Sequence, residues 1–245
     1  MFLRLWMLPV CIAAFFTLLH APCSYGQLLP FLDDFNDGDA TDGMPGTWLP
    51  GSQPGGTRDA TSGDMVVSHT AQMSTLVQEL TGLQDLSIGT QLSFTELSGN
   101  ADALVVWARS PANSPAAYSG GIANDGLLAI VYTDDNLAVE FLAATPSSLD
   151  PVGADVLLQF DVFGTQLSLT AWQAGDAKPA GPQLTVTDSR LTEGGQLGFT
   201  FSPNFGGGDA PASAVLRHYS VVPEPSTALL AIIGLCGIVG VARRR

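Results

Sequence analysis

Between residues 27 and 222 the chain has no cysteine, because Cys11 and Cys23 precede that stretch and Cys236 follows it. The absence excludes disulfide stapling, thiolate zinc sites and a cysteine nucleophile from the body of the protein. Histidine is nearly as scarce, with only His69 and His218 in the same stretch. Two separated histidines on strand-like segments are expected as surface or packing residues. Basic residues are few: nine Lys and Arg stand against 23 Asp and Glu, for a formal charge of −14. Arg4, Arg243, Arg244 and Arg245 lie at the ends, and Glu224 is the only acid outside the middle. Residues 27–222 thus hold 5 basic and 22 acidic groups, a formal charge of −17. Nucleic-acid binding needs clustered Lys and Arg, so that class is excluded. A disordered acidic tail is excluded as well, because only 13% of the chain is charged and 46% is hydrophobic. Also missing are G-x-S-x-G, H-E-x-x-H, P-loop and dinucleotide-binding fingerprints, which removes the usual signs of serine hydrolases, zinc proteases and nucleotide enzymes.

What is present divides the chain in three. Residues 1–26 read as a secretory signal peptide: Arg4 supplies the positive start, Leu5 to Leu19 a mostly apolar stretch, and Ser24 and Gly26 the small residues before a cut between Gly26 and Gln27. An uncleaved anchor and lipidation at Cys23 are the alternatives, the latter disfavoured by Pro22. Residues 27–222 form one extracytoplasmic domain of ordinary size. Residues 223–245 begin Pro223-Glu224-Pro225-Ser226, continue uncharged from Thr227 to Ala242, and end in Arg243, Arg244 and Arg245. As a helix, 227–242 spans about 24 Å against a hydrocarbon core of about 30 Å. Terminal arginines that snorkel make this a short transmembrane helix with its basic end in the cytoplasm.

This tail resembles the PEP-CTERM sorting signal, with Pro223, Glu224 and Pro225 as the motif and Arg243 to Arg245 as the basic cluster. The resemblance implies recognition by an exosortase, a membrane-embedded transpeptidase-like enzyme, after signal peptidase has acted. It implies export, transient anchoring in the inner membrane, and delivery to the cell surface or an exopolysaccharide biofilm matrix. It covers about a tenth of the chain and bears on address more than activity.

The middle is expected to be all-β. Alternating apolar and β-branched runs, punctuated by Gly, Pro, Asn and Asp, predict strands at 64–70, 75–80, 86–97, 103–109, 127–133, 137–143, 156–163, 166–173, 184–188, 196–202 and 214–222. Turns are explicit at Asn124-Asp125-Gly126, Thr133-Asp134-Asp135-Asn136 and Gly164-Thr165. In 166–173, Leu167, Leu169 and Ala171 share one face, and Gln166, Ser168, Thr170 and Trp172 the other. An antiparallel two-sheet sandwich is the expected architecture, a closed barrel the alternative.

The run from Val156 to Trp172, the strand Leu184 to Asp188 and the Gly194-Gly195 entry to Gln196 to Phe199 resemble the laminin-G-like or concanavalin-A-like jelly roll. Phe31 to Gly38 and Val215 to Val222 look like that family's first and last strands, which pair with each other. Jelly-roll glycosidases place two carboxyl groups about 5 Å apart. Laminarinase-type enzymes carry them as Glu-x-Asp-x-x-Glu, which this sequence lacks. Its glutamates in the middle, Glu79, Glu96, Glu140 and Glu193, are scattered, and Glu140 faces away from Val139 and Phe141. Catalysis is therefore not expected.

Two candidate sites remain. Asp33, Asp34, Asn36, Asp37, Asp39 and Asp42 form a dense oxygen-rich cluster, and Asp34, Asn36, Asp37 and Asp39 could hold a structural Ca²⁺. The spacing fails the EF-hand pattern, and a solvated turn-forming loop explains the same residues. Trp48, Trp107, Trp172, Tyr118 and Tyr132 could offer aromatic faces to sugars. Trp107 shares a face with Ala103 and Val105 and is expected in the core, so Trp48 and Trp172 are the ligand-binding candidates. The sequence reading is thus a secreted surface or matrix protein with a non-catalytic structural or binding sandwich. A carbohydrate-binding lectin-like module is the alternative, and an unusual polysaccharide-acting enzyme a third reading.

Overall fold

Apolar side chains at every second position need a second layer to bury them, and the chain meets that need with two antiparallel sheets. The structure, a computed structural model, describes residues 30–43, 46–51, 55–99, 101–202 and 210–223. The expected signal peptide, Glu224, Pro225, the membrane span 227–242 and Arg243 to Arg245 lie outside the described residues. Every regular element among the described residues is a strand: β1 Phe31–Asp33, β2 Trp48–Pro50, β3 Thr57–Asp59, β4 Met65–His69, β5 Met73–Val77, β6 Leu86–Glu96, β7 Ala103–Ser110, β8 Ala117–Ala123, β9 Leu127–Thr133, β10 Val139–Pro146, β11 Val156–Phe163, β12 Gln166–Gln173, β13 Leu184–Thr187, β14 Gln196–Ser202 and β15 Ala212–Pro223. None of these residues forms a helix long and apolar enough to cross a membrane.

The first sheet runs β13-β12-β11-β6-β15-β4-β3, with β1 also paired to β15. The second runs β10-β9-β8-β7-β14-β5-β2. As expected, the first and last strands pair, Phe31 opposite Val221 and Asp33 opposite Tyr219. The long-range partners β6 and β15 form the spine of the first sheet, and β7 and β14 that of the second. The alternation in β12 places Leu167, Leu169 and Ala171 in the core, as expected.

Strand β8 explains how closely the layers approach. Its sequence Ala-Tyr-Ser-Gly-Gly-Ile-Ala is buried throughout. A Cβ on Gly120 would stand 2.5 Å from the Phe160 ring of the first sheet, and one on Gly121 would stand 2.3 Å from the Leu104 carbonyl. Both positions exclude any side chain, so the two glycines set the spacing between sheets and between β7 and β8.

At one end of the core, Trp48 is the centre of an aromatic cluster, 5.7 Å from Phe35, 5.5 Å from Phe199 and 5.0 Å from Tyr219 between ring centroids. Its indole N–H donates to Asp33 Oδ2 at 2.7 Å, while Asp33 Oδ1 accepts from the Phe35 N–H at 2.8 Å. Burial raises the Asp33 pKa, and these two hydrogen bonds oppose that rise. A second anchor is Arg109, whose side chain is fully buried. It sits where β7 carries one residue more than its partner β14, with φ of 58°. This bulge turns the guanidinium inward, where it donates to the carbonyls of Gln84 (2.9 Å), Gly164 (2.6 Å) and Leu191 (2.8 Å) and to Asp85 (3.2 Å). One side chain thus fastens three connections to each other.

Candidate functional site

The outward face of the second sheet is the feature that stands apart. Residues alternate on each strand, so Leu104, Val106, Tyr118, Ile122, Leu128 and Ile130 enter the core and their neighbours face out. Ala103, Val105, Gly121, Ala129, Val131 and Phe141 then form the floor and outer wall of a groove of about 110 Å³. Gln72, Ser119, Thr133, Thr200 and Ser202 contribute hydroxyl and amide groups along it. Among the described residues, Asp125 is the only charged one lining this section, and its Oδ1 accepts from the Leu127 N–H at 3.0 Å. A second section of about 50 Å³ shares Gln72, Ser119, Thr133 and Thr200 and extends past Trp107, Ser114, Pro115 and Gln196. Chemically, the described surface offers apolar contact and neutral hydrogen bonding, with Asp125 as its one fixed charge.

Trp107 belongs to this groove. It lies on the outward face with Ala103 and Val105, as its alternation implies, but that face is not the core side expected from its apolar neighbours. The ring covers Gly198, where a Cβ would stand 2.7 Å from Trp107 Cζ2. Although Trp107 is only 7% exposed, it lies outside the buried cluster between the sheets.

The other candidate aromatics go elsewhere. Trp48 is 2% exposed in the core, so the expectation that it meets a ligand is corrected: its ring and its N–H are both committed to packing and to Asp33. Trp172 is half-buried on the outer face of the first sheet, the opposite side of the sandwich from the groove, with the Lys178 ammonium 5.5 Å from its ring centroid. The structure does not bring Trp48 and Trp172 together. Tyr118 and Tyr132 point inward, their rings 5.9 Å apart. The Tyr118 hydroxyl donates to Asp188 at 2.5 Å and accepts from the Leu191 N–H at 3.0 Å. Burial above all pushes the Tyr118 pKa up to about 12. Arg190 lies 4.0 Å over the Tyr132 ring and donates to Asp188 and to Glu140 (2.6 Å to each). Its hydrogen bonds are the main cause holding the Asp188 carboxyl down at about 2. Glu140 faces away from the groove that Val139 and Phe141 line, as alternation predicts.

The acidic loop after β1 is organised by its own backbone. Asp34, Asp37 and Asp39 each accept the N–H two residues on, from Asn36 (3.2 Å), Asp39 (3.1 Å) and Thr41 (2.8 Å). Asp59, Asp125, Asp134 and Asp150 repeat this Asx turn elsewhere. No three His, Cys, Asp or Glu side chains among the described residues converge on a metal-sized site. In this conformation Asp34, Asn36, Asp37 and Asp39 therefore do not form the six- to eight-oxygen cage that Ca²⁺ takes. The other glutamates serve separate positions: Glu79 accepts from the Thr47 N–H and hydroxyl, and Glu96 from Ser213. His69 accepts the N–H groups of Thr70 and Ala71, and His218 is half-buried with its pKa lowered by burial.

Two all-antiparallel sheets packed face to face, with the first strand paired to the last, define a concanavalin-A-like jelly-roll sandwich. Solved structures share the fold. The chain is similar to the carbohydrate binding module CBM66 from Bacillus subtilis, at 16% identity and TM-score 0.55 over 71% of this chain and 94% of that one. It is also similar to the VIP36 exoplasmic/lumenal domain in its Ca²⁺/Man3GlcNAc-bound form, at 13% identity and TM-score 0.57 over 80% and 91%. The GH43 protein BlXynB from Bacillus licheniformis matches at 13% identity and TM-score 0.55, over 79% of this chain but 39% of that one. Residues 221–245 match the PEP-CTERM protein-sorting motif. No curated protein matches the chain.

Proposed function

We propose that the protein is exported to the cell surface through its C-terminal sorting motif and acts there as a non-catalytic carbohydrate-binding module. The observation that carries the binding role is the groove on the second sheet, an apolar floor edged by neutral hydroxyl and amide groups. That combination suits a sugar ring, which presents apolar C–H faces and hydroxyl edges together. The similarity to a carbohydrate binding module and to VIP36 supports the reading. The scattered and separately bonded glutamates support a role without hydrolysis.

In the same proposal, signal peptidase cuts between Gly26 and Gln27, and an exosortase-type enzyme recognises Pro223, Glu224 and Pro225. The natural contact is extracellular polysaccharide of the cell surface or matrix. A glycan array probed with the full-length protein in mild detergent tests the binding role. Retention of a defined glycan class is expected, and an empty array would count against the reading. Sorting is tested separately by changing Pro223, Glu224 and Pro225 to alanine in the native host. Loss of C-terminal processing and surface display is expected; unaltered processing would overturn the sorting role.

A further inference from the structure

Indole N–H groups that leave water normally find an acceptor. In this sandwich the Trp48 N–H has Asp33, and each buried hydroxyl or guanidinium has its partners, with one exception. Among the described residues, Trp107 Nε1 is the buried side-chain polar atom with no hydrogen-bond partner. The ring that carries it lines the second section of the groove, beside Ser114, Pro115 and Gln196. An orphaned donor of this kind is costly, and such groups persist where another role requires them.

A second observation concerns charge. The middle of the chain has five basic side chains, Arg58, Arg109, Lys178, Arg190 and Arg217, and none lines either section of the groove. Each is engaged elsewhere: Arg58 donates to Thr75 and Ser74, Arg109 to three carbonyls in the interior, and Lys178 to Gln159. Arg190 holds Asp188 and Glu140, and Arg217 holds Asp64 and Asp155 on the first sheet. An acidic ligand entering the groove would meet no counter-charge and a domain of formal charge −17.

Resting on the carbohydrate-binding reading above, we propose that the groove takes an uncharged glycan chain, and that an oxygen of that glycan accepts the Trp107 indole N–H. The donor is closed to water in the free groove, so engagement requires the side chains that cover it to move aside. Uronate-bearing chains are the excluded class. Trp107 is in this role a specificity-determining contact: its partner is present only in the complex.

The test uses the full-length protein with neutral gluco-, manno-, galacto- and xylo-oligosaccharides and with oligogalacturonate as the acidic probe. A neutral series is expected to bind and oligogalacturonate not. Trp107→Phe removes the N–H and keeps a ring. It is expected to weaken neutral binding about two- to tenfold, the worth of one hydrogen bond, and to lower the thermal midpoint only by what the smaller ring over Gly198 loses in packing, because the lost donor had no partner in the free protein. Trp172→Phe, on the opposite sheet, is expected to leave binding unchanged. Should Trp107→Phe not fold, the unaltered protein with ¹⁵N-labelled indoles gives the same answer: the Trp107 N–H resonance shifts on adding the neutral oligosaccharide and that of Trp48 does not. Equal binding of oligogalacturonate, full affinity in Trp107→Phe, or a motionless Trp107 resonance during binding each overturns this inference while the carbohydrate reading stands. Absence of binding to every oligosaccharide overturns both.

Discussion

Phe31 and Val221 are register partners in an antiparallel pair, so the two ends of the described chain meet across one ladder. Val221 is also the first residue of the matched sorting motif, and Val222 and Pro223 continue the ladder opposite Ser87 and Leu86. The address label therefore begins inside the sheet. Phe31 is buried with its ring edge-on to Tyr219, centroids 6.5 Å apart. Phe31→Ala is expected to destabilise the sandwich by about 3–5 kcal/mol, read from denaturant unfolding, and to make β15 accessible to limited proteolysis. A protected β15 in that variant would contradict the role given to the clasp.

Gly120→Ala places a methyl carbon 2.5 Å from the Phe160 ring and 3.1 Å from Leu169. Overpacking of this kind costs about 1–3 kcal/mol. A lowered thermal midpoint is expected, and Phe160→Leu in the same chain should restore part of it. A Gly120→Ala variant as stable as the parent would show that the sheets are not held at this spacing.

Replacing Arg109 with Met keeps bulk but leaves the carbonyls of Gln84, Gly164 and Leu191 without their donor. Buried acceptors left unpaired cost about 1–3 kcal/mol each, so this variant is expected to be among the least stable single substitutions. Arg109→Lys should rescue little of the loss, because an ammonium cannot reproduce the planar fork. Hydrogen exchange at residues 84, 164 and 191 reports the loosening directly.

Stability should fall at both pH extremes for identifiable reasons. The Asp188 carboxyl is held down from 3.8 to about 2 by Arg190. Its contribution is present above pH 3.8 and is lost as pH falls toward 2. Burial raises the Tyr118 pKa from 10.0 to about 12, so that contribution is full below pH 10 and is lost as pH rises through 12. Asp188→Asn should flatten the acid limb of a thermal midpoint against pH profile. Tyr118→Phe should flatten part of the alkaline limb. The fully buried Tyr219 hydroxyl, whose pKa is also raised by burial, contributes to the same limb.

The carboxylates of the loop after β1 are engaged by backbone N–H groups, so a chelator is expected to leave the thermal midpoint unchanged. Millimolar Ca²⁺ that raised it, with the rise abolished by Asp34→Asn and Asp37→Asn, would show that the Asx turns open to form a cation cage.

The sequence located four strands to the residue, 127–133, 156–163, 166–173 and 196–202, with the alternation cleanest in 156–163. Strand β8 escaped because it is buried on both faces and carries two glycines, which erases the period of two. Strands β2 and β3 have three residues each, too few for any period to register. The site was less legible than the fold for a related reason. Alternation separates the two faces of a strand, but it names the inward one only if the other is polar. In β7, Leu104 and Val106 oppose Ala103, Val105 and Trp107, and apolar residues on both sides led Trp107 to be assigned to the core. Trp48 carried no facial information in a strand so short. The orphaned Trp107 N–H and the reach of Arg109 depend on neighbours far away in the chain, which no local pattern encodes.

The Asx turns carry a last consequence. An asparagine oxygen closes such a turn as well as an aspartate does, and Asp34, Asp37, Asp39, Asp59, Asp125, Asp134 and Asp150 all close one. Exchanging these seven for Asn would keep the turns and take the domain from −17 to about −10. Its acidity is thus separable from its architecture. Where copies crowd together, those charges would act between molecules, holding neighbours apart over a screening distance of about 8 Å in physiological salt.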